Sequence, residues 1–475
     1  MAYGYGGSGV LLPPLAARVP GLTSALDSEL TARHIERALL RSGGQVHLVT
    51  PSALWGRPDG SCSLRYRVAV SVGTDQVSEH TVLARVYPSD GVAGRTLAGD
   101  APWLAPSADP PVPWRRWTTI GDGGEVALYL FPADPALPTL AAAMNLAALQ
   151  GEDWPCKTAL PISVDLVHHS RQGASVLLYG VRRTGSSSAS TAGHVYGKVY
   201  PNRTTGEQVH RFLGSCANPG RVHIPVPLGY SPRLSLGLTE ALPGRPILPS
   251  IVRSAARVGV TSPRTPPGDS AHEAVRSTGR ALAALHSTGQ ATAVTRTIGQ
   301  LGRELDSELN TVQQVWPRTA DQVRSMLDRV GSTDGDGAGQ VLCHGDFTPS
   351  QVLLAGHAVC GVVDFDTVCW SDAAMDLGRF LAQLELLVIK DCGQSADGVR
   401  KQLADSFLAG YGDSVGVTVI DQSFLERIAL FRSLSLASTA LHACRQLKER
   451  RLSLALSLLS TADYRTGKAT HEDMV

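Results

Sequence analysis

The chain lacks the cysteine spacings that build scaffolds. Its eight Cys are scattered over 475 residues with no C-x-x-C pair and no Cys/His cluster at zinc spacing. That excludes a disulfide framework and a structural zinc module, and fits buried thiols in a reducing compartment. It also lacks an excess of charge of either sign. Lys and Arg (43) nearly cancel Asp and Glu (42), so nothing in the balance calls for nucleic acid or an anionic membrane as a partner. No stretch reaches the roughly 18 uninterrupted apolar residues of a membrane-spanning helix. Residues Met1 to Gly9 have neither the basic start nor the apolar run of a secretion signal, so the expected location is the cytoplasm. What is present is 43% hydrophobic and 18% charged, the make-up of a soluble globular protein. At roughly 100 to 200 residues per domain the length suits two to four domains.

Residues 1–28 are rich in Gly and Pro and read as a flexible N-terminal arm. Two strand-rich regions follow. The first alternates at Ser63–Val70, Val82–Tyr87 and Val126–Phe131, and the second at Val176–Val181, His194–Tyr200 and Leu234–Thr239. They read as copies of each other. Setting Arg85-Val-Tyr-Pro88 on Lys198-Val-Tyr-Pro201 gives an offset of 198 − 85 = 113, which also places Leu64 on Leu177, Tyr66 on Tyr179 and Gly60 on Gly173 without a gap. The copies differ in charge: Lys198 corresponds to Arg85, and Glu207 to Gly94. After a Pro/Gly-rich loop at Pro263–Gly268 the texture turns helical, over Ser270–His286, Thr297–Val330, Ala373–Ile389 and Asp421–Leu459, interrupted by a Gly-rich connection at 331–339.

Directly after that connection come Val341-Leu-Cys-His-Gly-Asp-Phe-Thr-Pro-Ser-Gln351 and, further on, Gly361-Val-Val-Asp-Phe-Asp366. Each piece runs from an apolar strand into polar groups. Paired as hairpins, they would bring Asp346, Gln351 and Asp364 to one end of the strands. Three converging side-chain oxygens suit a hard divalent cation beside a hydroxyl substrate.

These residues, with Ser371-Asp-Ala-Ala-Met-Asp376 and the upstream Gly279-Arg-Ala-Leu-Ala-Ala-Leu-His286, resemble the catalytic core of the aminoglycoside phosphotransferase and choline kinase-like family, relatives of protein kinases. The resemblance covers roughly residues 160 to 460. It implies an α+β, bilobal protein-kinase-like fold, here with an additional N-terminal degenerate β-rich copy. The expected boundaries are the arm at 1–28, the degenerate domain at 29–155, a nucleotide-binding lobe at 156–245 and a mainly helical lobe at 246–475. The resemblance further implies that Asp346 is the catalytic base and that Asp364 holds Mg²⁺ on the nucleotide phosphates. Gln351 stands where the family usually has Asn as the second metal ligand, its carbonyl oxygen moved by about 1.5 Å by the extra methylene. Lys198 would bind the α/β-phosphates with Glu207 as its ion-pair partner.

The phosphate-covering loop is either Ser170–Ser175, favoured because Gly173 matches Gly60 and which includes Ser175, or Gly185–Gly193. The adenine hinge is expected near Thr239 to Leu242, through Glu240 and Leu242. His344 reads as a structural hydrogen-bonding residue. Asp372 and Asp376 read as helix N-terminal carboxylates, and Asp366 as either a second metal contact or a strand-end residue. The resemblance implies ATP as the nucleotide, with GTP as the alternative.

The acceptor that the resemblance implies is a hydroxyl-bearing small molecule such as an amino sugar, an antibiotic or a related metabolite. Residues 376–475 show no acidic excess of the kind a polycationic aminoglycoside would call for. Two alternatives stand beside this: a kinase for Ser/Thr of a precursor peptide in ribosomal-peptide maturation, and a non-catalytic binding module. The first copy, lacking the Lys/Glu pair, reads as a degenerate domain that packs on the active one or offers a surface to a large substrate or protein partner.

Overall fold

The computed structural model describes residues 10–73, 76–88, 110–111, 113–120, 125–147, 149, 153–170, 173–183, 192–216, 223–247, 251, 269–289, 292, 294–330, 339–392, 397–416 and 420–461. By contacts the chain divides into two compact units. One comprises residues 1–210, 227–241 and 445–449, and the other 211–226, 242–444 and 450–475.

The first unit is built on two five-stranded antiparallel sheets. Strands β1 (Gly44–Gly56), β2 (Cys62–Val72), β3 (Ser78–Val86), β4 (Thr118–Ile120) and β5 (Val126–Leu130) take the order β1-β2-β3-β5-β4. Strands β6 (Ala159–His169), β7 (Ser175–Arg183), β8 (Ala192–Val199), β9 (Pro227–Ser231) and β10 (Leu236–Glu240) take the same order, β6-β7-β8-β10-β9. The register repeats as well. In the first sheet Cys62 faces Val86 and Val68 faces His80; in the second Ser175 faces Val199 and Val181 faces Gly193. Each pair is related to its counterpart by the offset of 113 (198 − 85) read from the sequence.

The alternation of β2 and β7 is explained by burial. Leu64, Tyr66, Val68 and Val70 point into one core, and Leu177, Tyr179 and Val181 into the other. A buried tyrosine needs a partner for its hydroxyl, and both copies supply it in the same way. Tyr66 donates to Ala25 O at 2.6 Å and Tyr179 to Ala143 O at 2.7 Å, each on a short helix packed on its sheet.

Those helices correct the expectation of a loose arm over 1–28. Residues 1–9 lie outside the described residues, but α1 (Leu12–Arg18), α2 (Gly21–Leu26) and α3 (Ser28–Leu39) are folded, and α4 (Leu140–Ala143) precedes the second sheet. Prolines sit in the first turn of α1, where the missing N–H has no intrahelical partner to lose. Leu15, Val19, Leu22 and Ala25 are buried at helical spacing. Asp27 caps α3 by accepting from the N–H groups of Glu29 and Leu30.

Helix α5 (Arg203–Ser215) follows β8 in the chain. The second unit is mainly helical: α6 (Asp269–His286), α7 (Ile298–Gln313), α8 (Pro317–Val330), α9 (Ala374–Cys392), α10 (Asp397–Val415), α11 (Gln422–Arg445) and α12 (Glu449–Ser460). The expected helix over 297–330 is two, the first started by a capping box between Thr297 and Gln300. Helices α6 and α10 cross so closely that a Cβ on Gly279 would fall 2.1 Å from Phe407 O. A buried ion pair, Arg432 Nε to Glu385 Oε1 at 2.7 Å, ties α11 to α9. Two small sheets complete the unit: β11 (Arg245–Pro246) with β13 (Val352–Ala355) and β14 (Ala358–Val362), and β12 (Gln340–Cys343) with β15 (Cys369–Asp372). The α+β class expected from the sequence is the one observed. No helix among the described residues is long and apolar enough to cross a membrane.

Candidate active site

In the helical unit, the two motif segments are held in place by the small sheets. Strand β12 ends at Cys343, and the chain then turns sharply through His344 and Gly345. Gly345 has φ +82°, and a Cβ there would lie 2.1 Å from Thr367 O, so only glycine fits. Asp376, fully buried at the start of α9, accepts from the backbone N–H of His344 (2.6 Å) and of Gly345 (2.9 Å), and lies 3.2 Å from His286 Nε2. Burial works against its charge, but hydrogen bonding to His286 and the charges and backbone N–H beside it hold the carboxyl below its ordinary value. Asp376 is therefore an anchor for the turn at His344 and Gly345 rather than a helix cap. Asp372 does cap, accepting from Ala374 N at 2.9 Å, and also pairs with Arg427 at 2.7 Å.

His344 is structural, as read: it is fully buried, with Nε2 3.0 Å from Val363 O and Nδ1 accepting from Asp346 N at 3.3 Å. The first of these bonds ties the two motif segments together. A continuous contact of rings then fixes both. Phe212 packs on Phe365 (5.8 Å), Phe365 on His344 (4.8 Å), His344 on Phe347 (5.9 Å), Phe347 on Phe380 (5.6 Å) and Phe380 on Phe407 (4.1 Å).

Asp346 projects from this turn and is one-third exposed. Arg379, one turn into α9, grips its Oδ1 through both Nε and Nη2 at 2.5 Å. Among the described residues Oδ2 has no partner, so one oxygen is fixed and the other is presented. The sequence reading missed Arg379. Its signal was available only in hindsight: it lies three residues after Asp376, on the helix whose first turn anchors the Asp346 loop.

Gln351 and Asp364 meet at one end of the β13–β14 hairpin, as expected, with Val363 N bonded to Gln351 O at 3.0 Å and Gln351 Nε2 to Asp364 Oδ2 at 3.3 Å. Asp364 takes φ +73°, a left-handed backbone that costs a non-glycine residue energy and gathers at functional positions.

Hard oxygen donors side by side fit a divalent cation. Rotating the Gln351 amide would bring Oε1 rather than Nε2 to the same place, an assignment that hydrogen bonding alone decides. A second cluster of metal-ligand type, His286, Cys343 and Asp376, has ligand atoms within 4.8 Å of one another. It does not fit a metal, because Asp376 is engaged by backbone N–H groups and burial pushes the Cys343 thiol well up, keeping it protonated.

In the β-rich unit, Lys198 lies on β8 with Nζ 5.8 Å over the Tyr200 ring. Glu207 pairs with Arg203 at 2.5 Å one helical turn away, whereas the resemblance implies Lys198 as its partner. Ser175 is fully buried with its hydroxyl 2.7 Å from His169 Nδ1, which removes that side chain from a ligand-facing role. Gly173 is described next to it, while Arg171 and Gln172 lie outside the described residues, as do residues 184–191 of the alternative loop. Glu240 closes β10, opposite Val195. The boundary between the two units falls between Ala241 and Leu242, within the expected hinge.

Residues 189–415, just under half of the chain, match the model of the phosphotransferase enzyme family, APH. Solved structures similar to the chain include a macrolide 2'-phosphotransferase, MphH, from Brachybacterium faecium, 18% identical over 66% of this chain and 97% of that chain, with a TM-score of 0.41. A choline/ethanolamine kinase family protein from Mesorhizobium loti is 15% identical over 65% of this chain and 92% of that chain, with a TM-score of 0.41. A GDP and kanamycin complex of APH(2")-IIia is 16% identical over 64% of this chain and 94% of that chain, with a TM-score of 0.39. No curated protein sequence matches significantly. The resemblance carried by His344 to Gln351 and Val363 to Asp366 is borne out by that match, whose residues 189–415 include both motif segments.

Proposed function

We propose that the chain is an ATP-dependent O-phosphotransferase that moves the γ-phosphoryl group to a hydroxyl of a small molecule. The observation that carries this reading is Asp346: one carboxylate oxygen is gripped by Arg379, the other has no partner among the described residues, and the loop behind it is pinned by Asp376. A base for a hydroxyl proton needs this kind of orientation, since phosphoryl transfer relies on positioning and charge neutralisation. Asp346 Oδ2 accepts the acceptor hydroxyl's proton as the oxygen attacks the γ-phosphorus, the bond from that phosphorus to the β-phosphate oxygen breaks, and ADP leaves. Arg379 keeps the carboxylate aimed.

Asp364 and Gln351 would hold Mg²⁺, which when bound neutralises charge on the nucleotide phosphates. Lys198 serves the α/β-phosphates, the backbone around Gly173 covers them, and the backbone from Glu240 to Leu242 takes the base. GTP is the alternative nucleotide. A Ser/Thr peptide is the alternative acceptor, and a non-catalytic binding module is the alternative to turnover. Retention of Lys198, Asp346 and Asp364 together favours catalysis, because a binding module has no chemical need for all three.

The test is consumption of ATP or GTP with Mg²⁺ by the wild type and by Asp346→Ala, across amino sugars, other antibiotics, aminoglycosides and Ser/Thr peptides. The expected outcome is turnover with a small-molecule hydroxyl that falls by roughly 10²- to 10⁴-fold in the variant, with nucleotide binding retained. Turnover with peptides alone moves the acceptor. No turnover with any acceptor, together with nucleotide affinity indifferent to Mg²⁺, makes the chain a binding module.

A further inference from the structure

The proposed reaction makes no use of the first sheet, yet that sheet carries a cation where the second carries Lys198. Arg85 faces Ser63 as Lys198 faces Val176. Its charge is taken up internally. Arg85 forms a short ion pair with Asp59, and its Nε donates to Ser61 Oγ at 3.2 Å, so the β1–β2 turn of the first copy places a carboxylate on this cation. Asp59 corresponds to Gln172 in the second copy, where no such carboxylate exists (59 + 113 = 172).

The rest of that face is covered. Ser63, Leu83 and Arg85 from the first sheet look onto Asp134, His169 and Ser170, and the cavity left between them is about 20 Å³, room for a single water. The covering residues matter. His169 is the last residue of β6 and Ser170 the next, so together they are the root of the hairpin expected to cover the nucleotide phosphates.

The first copy holds that root from three sides. Asp134 Oδ2 lies 3.1 Å from His169 Nε2, Arg65 Nη2 donates to His169 O at 3.2 Å, and the Phe131 ring meets the His169 ring edge to face at 5.3 Å. On its own side, His169 Nδ1 meets the fully buried Ser175 Oγ at 2.7 Å. The imidazole thus bridges the β6–β7 hairpin to the segment that follows β5. Both polar side chains of the bridge, Asp134 and His169, are less than a tenth exposed. Breaking such a bridge leaves a buried polar group without a partner, which costs more than losing an exposed contact.

We propose that the first β repeat is a clamp on the phosphate-covering hairpin of the second, with Asp134 and Arg65 as positioning residues that act through His169. This rests on the reading of the second repeat as the nucleotide-binding one. The face that would have bound a nucleotide in the first copy holds the hairpin of its duplicate instead. A hairpin fixed at its root does not have to be ordered when nucleotide binds, so the clamp acts on nucleotide affinity and leaves the chemical step and the acceptor alone.

The test is Asp134→Ala in the full chain. The nucleotide KM is expected to rise about tenfold, as for loss of a buried charged hydrogen bond, with kcat at saturating nucleotide and the acceptor KM within about twofold of wild type. Asp134→Asn, which keeps an acceptor oxygen, is expected to return the nucleotide KM to within about threefold. Amide hydrogen exchange across residues 166–177, without nucleotide, is expected to quicken in Asp134→Ala. If that variant does not fold, Arg65→Met is read in the same way, with a rise of about threefold. An unchanged nucleotide KM in a folded variant, or an acceptor KM that rises equally, overturns the clamp. A wild type that binds no nucleotide sinks the kinase reading instead. The exchange measurement then decides the clamp by itself: quicker exchange upholds it, and unchanged exchange ends it.

Discussion

The two β repeats have the same strand order and the same register, and they bury the same tyrosine, yet one cation differs in its company. Arg85 in the first is bound by Asp59 from its own turn, and the position of the second that corresponds to Asp59 is occupied by Gln172. The comparison teaches that a duplicated sheet keeps its fold through alternation and register, while its chemistry is decided by one or two side chains at the turn.

The sharpest way to break the comparison is to remove each cation. Lys198→Met is expected to lower kcat/KM for the nucleotide by at least about 100-fold, as for loss of a phosphate-neutralising charge. Arg85→Met is expected to leave turnover within about twofold and to cost about 1 kcal/mol of stability, read by thermal melting, because its ion pair is partly exposed. Equal kinetic losses in both would mean that the first copy still binds ligand.

A smaller and symmetric effect is expected from Tyr66→Phe and Tyr179→Phe. Each removes one buried hydroxyl's hydrogen bond to a helix carbonyl, and each is expected to cost about 1 to 1.5 kcal/mol in denaturant unfolding. Costs that differ severalfold would show that the two cores are not equivalent.

The smallest effect is in pH. Burial tends to raise the Asp59 pKa, but hydrogen bonds from Ser61 and the charges of Arg85 and Arg57 outweigh it, so the folded carboxyl sits below its ordinary 3.8. A depressed folded pKa gives stability that is present above the unfolded value and lost as pH falls through the folded one. Wild type is therefore expected to lose somewhat more stability below pH 3.8 than Asp59→Asn does. The difference is under about 1 kcal/mol, since the group is half exposed. Parallel acid-unfolding curves for the two proteins would remove Asp59 from the account.

Much of this was legible in the sequence because it is local. The offset of 113 survived because period-two burial constrains β2, β3, β7 and β8 residue by residue, and His344–Gln351 with Val363–Asp366 is a short motif whose spacing sets its geometry. What escaped was hidden by irregularity or by distance. Strand β1 slips register at Val46/Leu48 and Pro51/Ala53, and β6 at Pro161/Ser163 and Leu166/His168, so neither shows clean alternation. Helices α1 and α2 were masked by Gly and Pro, which here sit in first turns. Asp376 looked like a cap because its position at a helix start was visible, while its bonds to His344 and Gly345, about thirty residues earlier, were not. Arg379 escaped for the same reason, since only the folded chain puts it on Asp346. The buried hydroxyl of Ser175 could not be told from a loop serine by composition.

The ring-on-ring contacts from Phe212 through Phe365, His344, Phe347 and Phe380 to Phe407 have a consequence for how this protein can change. They act as a shared keel under the two motif segments, so neither segment can be retuned alone. A void opened at Phe380, on α9, would loosen the loops that carry Asp346 and Asp364 together. Change in what this part of the molecule does must therefore come from side chains around the keel, with the keel itself left standing.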